Sequence, residues 1–310
     1  MWRISLIAIL LLCFVQINAQ FKDKTSQSIS NQFITEFNSV PKPGTPINIF
    51  SSNSSFGITA KIEQDTLTTT IPQDISIGFN TGIKLVSSPT HFDSNDLLYG
   101  SAAIVATGLT FLLDDDIRSS LSKSHSKALD NLGEIGHRYG DLYYMGGISA
   151  GVYVGGKIFG SEYLSVTGRM LIEGLFYAGA TTIILKTVLG RSRPYMNEDN
   201  TNFKWFQTSN DYNSMPSGHC TVAFAFSSVL AERLDNVYAS ILLYGLASTT
   251  IIQRMYSDNH WASDCLAGSV IGYVIGKAVV KYDNMQKGNN INLSAVYLPN
   301  GAGINLQYTF

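Results

Sequence analysis

Three short polar runs stand where long apolar segments begin or end, and their side chains suit the binding of an anion. They are KTVLGRSRP at 186–194, PSGH at 216–219 and RMYSDNHWASD at 254–264. The first and third runs supply the cationic side chains of Lys186, Arg193 and Arg254. A guanidinium group matches the oxygens of phosphate in a bidentate way, so these cations favour phosphate as the anion.

The second run places Ser217, Gly218 and His219 where an apolar segment begins. If that segment is a helix, its first amide groups are unpaired and lie at the positive end of the helix dipole. Together with the Ser217 hydroxyl they offer hydrogen bonds to an anion. His219 is the residue of this run that can transfer a proton.

In the third run His260 and Asp264 are four residues apart, which places them on one face if the helix begins at or before His260. A carboxylate on one ring nitrogen leaves the other nitrogen with a free lone pair, and this prepares a nucleophile or a metal ligand. An isolated His–Asp pair is more often structural, so a catalytic interpretation depends on the other two runs.

Six apolar segments rich in Gly and Ala follow one another, and their length predicts helices. They are residues 97–113, 142–160, 170–189, 219–232, 237–255 and 264–282. If consecutive helices fold back on each other, all three polar runs meet at one end of the bundle. In the second segment the spacing of Gly147, Gly151 and Gly155 predicts a close helix contact. The polar stretch before it predicts one more amphipathic helix, in which His137 is a helix contact or a surface residue.

The parts outside this bundle predict an exported protein. Residues 1–19 have the layout of a signal peptide, and residues 20–95 form a linker-like region in which 75–88 alternate like a strand or hairpin. A helical domain at 96–283 and a C-terminal hairpin at 290–310 complete the chain. The predicted fold class is therefore mainly α: a six-helix bundle with short helices, short β segments near the N-terminus and a C-terminal β-hairpin. Cys220 and Cys265 lie in apolar runs, and the sequence leaves open whether they form a disulfide or two core residues.

Composition excludes one class of partner and favours another. Charged residues make up 14% of the chain and apolar residues 45%, with a net charge of −2. A chain without a basic domain gives no reason to expect nucleic acid. The shortage of charge favours burial in a large core or contact with a membrane.

The patterns K-x6-RP, PSGH and R-x5-H-x3-D, in this order, resemble the three signature motifs of the type 2 phosphatidic acid phosphatase (PAP2) and vanadium haloperoxidase superfamily. The resemblance covers roughly residues 97–282 and implies a PAP2-like bundle with a metal-free, cofactor-free, two-step hydrolysis. It implies that His260 attacks phosphorus to form a phosphohistidine, that Asp264 orients its ring and that His219 transfers the proton. The implied phosphate-binding residues are Lys186, Arg193, Ser217, Gly218 and Arg254. One position departs from the pattern, because Gln253 stands where the family usually has Ser.

The expected activity is hydrolysis of a phosphate monoester or pyrophosphate, with a lipid-linked substrate and membrane contact, and with vanadate as a phosphate-mimicking inhibitor. Two alternatives stay open. One is a vanadate-dependent haloperoxidase with His260 as the vanadate ligand, and the other is a non-catalytic envelope protein with a relic anion site. The expected location is the bacterial cell envelope, periplasmic or membrane-associated, and the sequence does not decide whether the helices span a membrane.

Overall fold

A computed structural model describes residues 69–121, 126–288, 291–298 and 301–308, and these residues are mainly helical. The helices within them are α1 (Ile71–Ser87), α2 (Ser94–Phe111), α3 (Asp114–Leu121), α4 (Lys127–Gly140), α5 (Leu142–Ile158), α6 (Glu162–Leu189), α7 (Gly218–Leu234), α8 (Val237–Tyr256) and α9 (Ala262–Gly288). Short 3-10 turns lie at Ser88–His91, Pro194–Met196 and Asn210–Tyr212. The predicted signal peptide and residues 20–68 lie outside the described residues.

Two strands follow the helices. β1 (Ile291–Leu298) and β2 (Gly301–Tyr308) pair antiparallel, with Ile291 opposite Tyr308. The packing of the hairpin expected at 290–310 stays a prediction, because the side chains of this part lie outside the described residues.

The predicted apolar segments are helical, as α2 and α5 to α9. The polar stretch between the first two apolar segments forms two helices, α3 and α4, where the sequence predicted one. Helix α7 lies at the centre, and its residues from Cys220 to Val229 are buried. A helix that is apolar on all sides needs such a position, and α6, α8 and α9 surround it.

The core between α6, α7 and α9 is built from aliphatic side chains and close backbone contacts. Met170, Leu171, Val229 and Val279 are fully buried, and each such side chain contributes about 1.5–3 kcal/mol relative to exposure. At Gly272 of α9, a side chain would overlap the Thr221 carbonyl of α7. This contact holds the two helices that begin with the second and third polar runs tightly together.

The strand or hairpin predicted for residues 75–88 is wrong, because residues 75–87 belong to α1 and Ser88 begins a 3-10 turn. The alternation of Ile75, Ile77 and Phe79 suggested a period of two, but the start signals of a helix precede it. Pro72 lies in the first turn, and the Gln73 side chain accepts a hydrogen bond from the Thr70 N–H at 2.8 Å. Helix α1 thus lies inside the region predicted to be linker-like, and the predicted domain boundaries stay predictions.

Helix α1 turns its polar side towards the bundle and its apolar side outward. Asp74, Gly78 and Thr81 are buried, and Asp74 meets Lys157 of α5 at 2.6 Å and Arg169 of α6 at 3.3 Å. The outward face is an apolar stripe with helical spacing, formed by Ile71, Ile75, Phe79, Ile83 and Val86. This is the reverse of the orientation that a helix takes against water.

Within the described residues, two helices have the length and composition needed to cross a membrane. They are Glu162–Leu189 and Ala262–Gln286, each with a mean hydropathy of 1.3. The pair Ser94–Phe111 and Asp114–Leu121, bent by 58°, meets the same criterion when taken together. The close helix contact predicted for Gly147, Gly151 and Gly155 is not found among the described residues, of which no atom outside α5 lies within 4 Å of a side chain built at any of them. Gly156 makes the close contact instead, against the backbone of Ser165 in α6.

Candidate active site

The three polar runs meet at one end of the bundle, where α6 and α8 end and α7 and α9 begin. The Ser217 N–H donates to the Asp264 carbonyl at 2.9 Å, which joins the starts of α7 and α9. The His260 N–H donates to the Arg254 carbonyl at 3.3 Å, which closes the turn between α8 and α9. The backbone itself therefore fixes the second and third runs relative to each other.

The first run reaches this end through a turn at Gly190. Helix α6 stops there because Gly190 adopts the left-handed conformation, with a φ of 57°, and a side chain would overlap the Lys204 carbonyl. The chain then continues as Arg191, Ser192 and Arg193 across the end of the bundle. Lys186, one turn before the stop, points to the same place and donates to the Asn213 carbonyl.

The cationic side chains predicted to bind phosphate have neutral partners. Arg193 donates to the Asn210 carbonyl at 2.8 Å and to the Asn259 side chain at 3.3 Å. Arg254 donates to the side chains of Gln253 and His137. Among residues 69–121 and 126–288, no carboxylate forms an ion pair with Lys186, Arg193 or Arg254. Their charges are therefore available to an anion.

Four buried polar atoms at this end have no hydrogen-bond partner in the part of the chain that the structure describes. They are Asn213 Oδ1, Ser217 Oγ, His219 Nε2 and His260 Nδ1. Buried polar atoms are nearly always paired, so each exception needs an explanation, and binding of a ligand is one. Ser217 occupies the N-cap position of α7, yet its side chain makes no capping bond, so the first amides of α7 also lack a side-chain acceptor.

Gly218 keeps the space above these amides open. A Cβ at this position would lie 3.7 Å from Cε of Lys186, so a longer side chain would enter the space between the lysine and the helix start. A helix N-terminus with free amides, a hydroxyl and a neighbouring cation is an anion site. The predicted residues Lys186, Ser217 and Gly218 are thus brought together as the sequence suggested.

Asp264 lies beside His260, but other groups hold its carboxylate. The distance from His260 Nδ1 to Asp264 Oδ2 is 3.8 Å, beyond hydrogen-bond range. Asp264 Oδ2 accepts from Ser214 Oγ at 2.5 Å and from the Trp261 N–H at 2.9 Å. Its Oδ1 accepts from Arg191 at 2.6 Å. The carboxylate is fixed in charge and position, close enough to act on the His260 ring electrostatically.

Both site histidines are neutral at neutral pH. The pKa of His260 is lowered to about 3, mainly by burial; Asp264 opposes this decrease and nearby Lys186 adds to it. Burial also lowers the pKa of His219 to about 3, with the charge of Arg254 as the next cause. A neutral imidazole at residue 260 has the lone pair that a nucleophile needs.

Sequence reasoning missed Arg191. Its guanidinium is fully buried and donates to Asp264 at 2.6 Å, to Asp114 at 2.8 Å and to Ser263 at 2.8 Å. It also lies over the Phe111 ring, 4.5 Å from the centroid. Arg191 therefore connects α2, α3 and α9 beneath the site, and only its two-residue distance from Arg193 could have drawn attention to it.

Two further positions have roles that the sequence did not settle. Gln253 does not direct its amide to the site, because its carbonyl oxygen accepts from Nε of Arg254. Cys220 and Cys265 are buried free thiols at the first turns of α7 and α9. Within residues 69–121 and 126–288, no group of three His, Cys, Asp or Glu side chains is arranged to hold a metal ion.

Comparison with known proteins identifies a family and a relative that this chain is similar to. Residues 168–287 match the family model of the PAP2 superfamily. A lipid A 1-phosphatase of Porphyromonas gingivalis is 31% identical over 190 residues, which are 59% of this chain and 38% of the relative. The chain thus spans well under half the length of that curated relative.

Two solved structures also align with the chain. The crystal structure of Aquifex aeolicus LpxE has a TM-score of 0.44 and 21% identity, covering 55% of this chain and 96% of that one. A transmembrane PAP2-type phosphatidylglycerolphosphate phosphatase of Bacillus subtilis has a TM-score of 0.44 and 17% identity, covering 68% of this chain and 96% of that one.

Proposed function

Since the chain is a member of the PAP2 superfamily, we propose that it hydrolyses a phosphate monoester or pyrophosphate carried by a lipid. The observation that carries the proposal is the pair of unpartnered buried atoms Ser217 Oγ and His219 Nε2. They lie among cations that have no carboxylate partner in the described residues. A phosphoryl group supplies the oxygens and the negative charge that this arrangement lacks.

In the first step, His260 Nε2 attacks phosphorus and a P–N bond forms while the P–O bond to the leaving group breaks. His219 gives its proton to the leaving oxygen. Lys186, Arg193 and Arg254, with Ser217 Oγ and the Gly218 amide, hold the equatorial oxygens as their charge develops. Asp264 stabilises the positive charge that arises on the His260 ring.

In the second step, water attacks the phosphohistidine and His219 takes its proton. The P–N bond breaks, which releases inorganic phosphate and restores neutral His260. Because the pKa of His219 is about 3 without substrate, the proton of the first step must arrive with the phosphate. Negative phosphate oxygens beside His219 offset the effect of Arg254 and raise its pKa, so a singly protonated phosphate ester is the reactive form. Neither step calls on a metal or cofactor.

A lipid substrate is supported by the exposed surface of the bundle. Helix α1 presents an apolar stripe outward, and on α6 the side chains of Phe176, Ile183 and Ile184 are each more than 60% exposed. Apolar faces of this extent suit contact with a membrane. We place the protein in the bacterial cell envelope and take the 1-phosphate of lipid A as the first substrate to test, because the P. gingivalis relative is named for it.

The test uses the full chain purified in detergent, with release of inorganic phosphate measured from lipid A, from phosphatidate and from a soluble phosphate ester. We expect His260→Asn to lower kcat/KM by at least about a thousandfold, because it removes the nucleophile. The exposed residue His91 supplies the control, and His91→Asn should leave the rate unchanged.

The stability of the labelled phosphoenzyme in acid and in alkali tests for the phosphohistidine, independently of the overall rate of phosphate release. Protein labelled with 32P-substrate and denatured in alkali should keep its label, whereas acid should remove it, as expected for a P–N bond. Activity above about a tenth of wild type in His260→Asn would show that His260 is not the nucleophile. Phosphate release from the soluble ester alone would refute the lipid substrate and leave the phosphatase activity standing.

A further inference from the structure

A third histidine lies behind the site. His137 belongs to the last turn of α4, which is seated against α7 and α8 by two glycines. At Gly136 a side chain would overlap the Thr249 carbonyl, and at Gly140 it would lie 2.5 Å from Cγ2 of Thr250 and 3.0 Å from the His219 carbonyl. The end of α4 therefore reaches His219 in the first turn of α7, and no room remains for it to shift.

The ring of His137 contacts two residues of the candidate site. It stacks on the ring of His219 with 5.5 Å between centroids and 17° between planes. Its Nδ1 lies 3.2 Å from Nη2 of Arg254. A guanidinium group only donates hydrogen bonds, so His137 Nδ1 is the acceptor and a neutral ring carries its proton on Nε2.

This acceptor fixes Arg254 without cancelling its charge. Arg254 is buried, and its Nε and Nη2 are held by Gln253 and His137, both uncharged acceptors. A carboxylate in the place of His137 would hold the guanidinium equally well but would neutralise the charge that a phosphate needs. Three of the five N–H groups of Arg254 remain for a phosphate.

We propose that His137 is a positioning residue of the phosphate site, which holds Arg254 through Nδ1 and the ring of His219 by stacking. The proposal rests on the proposed function for its catalytic part, since His219 transfers protons only if the site hydrolyses phosphate esters. Its binding part concerns Arg254 and inorganic phosphate, and this part can be measured without turnover.

Two substitutions separate the two contacts. His137→Asn keeps an acceptor near the position of Nδ1 but removes the ring. His137→Phe keeps a flat ring against His219 but removes the acceptor. Arg138→Met is the matched control on the same helix, because Arg138 is exposed and pairs with Glu134 of its own helix.

The first measurement is the dissociation constant of inorganic phosphate, determined by calorimetry on the full chain in detergent. We expect it to rise about tenfold in His137→Phe, in which Arg254 loses its acceptor, and to stay within about threefold in His137→Asn. The control should match wild type. If phosphate affinity fell equally in His137→Asn and His137→Phe, or in neither, the proposal that His137 positions Arg254 would be refuted.

The second measurement is kcat for the phosphate ester. Loss of an aromatic stack is expected to lower kcat about two- to tenfold in His137→Asn, with a smaller change in His137→Phe. If His137 merely supported the fold, both substitutions would lower the unfolding temperature. They would then affect kcat and phosphate affinity alike, instead of His137→Asn changing mainly kcat and His137→Phe mainly the affinity. If His260→Asn kept its activity, the proposed function would fail, while the calorimetric result on Arg254 would still decide the binding part.

Discussion

Arg191 and Arg193 stand two residues apart in one motif, and the structure predicts opposite consequences for their loss. Arg191 is fully buried between Asp264 and Asp114, with N–O distances of 2.6 and 2.8 Å. Arg193 is partly exposed and donates to neutral oxygens of Asn210 and Asn259. Substitution of each by Met keeps an unbranched apolar stem and removes the guanidinium with its charge.

The loss of unfolding free energy in Arg191→Met follows from the two carboxylates that lose their cation. Asp264 and Asp114 are 0% and 1% exposed, so the substitution leaves two buried carboxylates without their shared cation. Removal of one partner from a buried ion pair costs about 3–5 kcal/mol. For a helical body of this size, each kcal/mol lowers the unfolding temperature by about 2–4 °C, so we expect a decrease of about 6–20 °C.

Arg193→Met leaves no carboxylate of the described residues without its cation. It removes only hydrogen bonds to partly solvated amide oxygens. We expect it to cost about 1–2 kcal/mol, or roughly 2–8 °C. Its effect on catalysis should be large, because it removes one of the cations proposed to stabilise the transition state, and kcat/KM should fall by about 100-fold or more. Arg193→Met should therefore combine a small loss of stability with a large loss of activity.

The assay is thermal unfolding of the full chain in detergent, followed by tryptophan fluorescence. Trp261 is a suitable reporter, since its ring lies 5.4 Å from the Arg191 guanidinium and its indole N–H donates to the Ser192 carbonyl at 3.0 Å. An unfolding temperature of Arg191→Met equal to that of wild type would refute the reasoning. So would a decrease in Arg193→Met as large as that in Arg191→Met.

Three further outcomes are expected. The pKa of His260 is about 3 in the folded chain and about 6.5 in the unfolded chain, so the unfolded state binds the proton first as pH falls. Between pH 7 and pH 5 this residue should lower the free energy of unfolding by about 2 kcal/mol, and urea titrations of His260→Asn should show a pH dependence smaller by that amount. Gly156→Ala should lower the free energy of unfolding by about 1–3 kcal/mol, because the added methyl group overlaps with Ser165. Gly151→Ala is the control and should not lower it. Equal urea midpoints of the two variants would contradict the packing argument. Vanadate should inhibit phosphate release competitively, with an inhibition constant at least about tenfold higher in Arg193→Met, and noncompetitive inhibition would place the anion elsewhere.

The helix ends that form the site could be predicted from the sequence because the signal there is local. A hydroxyl, a glycine and a histidine before an apolar run predict a helix start, and a lysine near the end of another run predicts a helix end. The fold supplies the rest by bringing those ends together. The resemblance of three motifs in order then suggested which residues share one anion.

Arg191 and His137 could not be assigned in the same way, because their partners are distant in sequence. Asp114, which shares Arg191 with Asp264, lies 77 residues before the arginine. His137 lies 117 residues before Arg254 and meets it only because Gly136 and Gly140 allow α4 to approach α8. A buried cation and an exposed cation look alike in the pattern RSR, and only the packing of α2 and α3 distinguishes them.

The errors at α1 and in α5 have a common cause. A periodic pattern shows that a segment has two different sides, but it does not show which neighbour each side meets. Ile75, Ile77 and Phe79 fit a strand as well as a helix, and the glycine spacing in α5 fits a packed face as well as a lipid-facing one. The partner helix decides, and in α5 it lies on the side of Gly156.

The way the motifs hold each other explains why their unpaired atoms are informative. The carbonyl of Asp264 accepts from Ser217 and its carboxylate accepts from Arg191, so the second and third runs are fixed by groups that a phosphate would not touch. Ser217 Oγ and His219 Nε2 remain unpaired because the frame holds them in place around a space, and a buried unpaired atom costs about 1–3 kcal/mol. A fold that keeps such atoms in fixed positions has little reorganisation left to make when an anion binds, and this favours binding of the transition state over adjustment to the substrate.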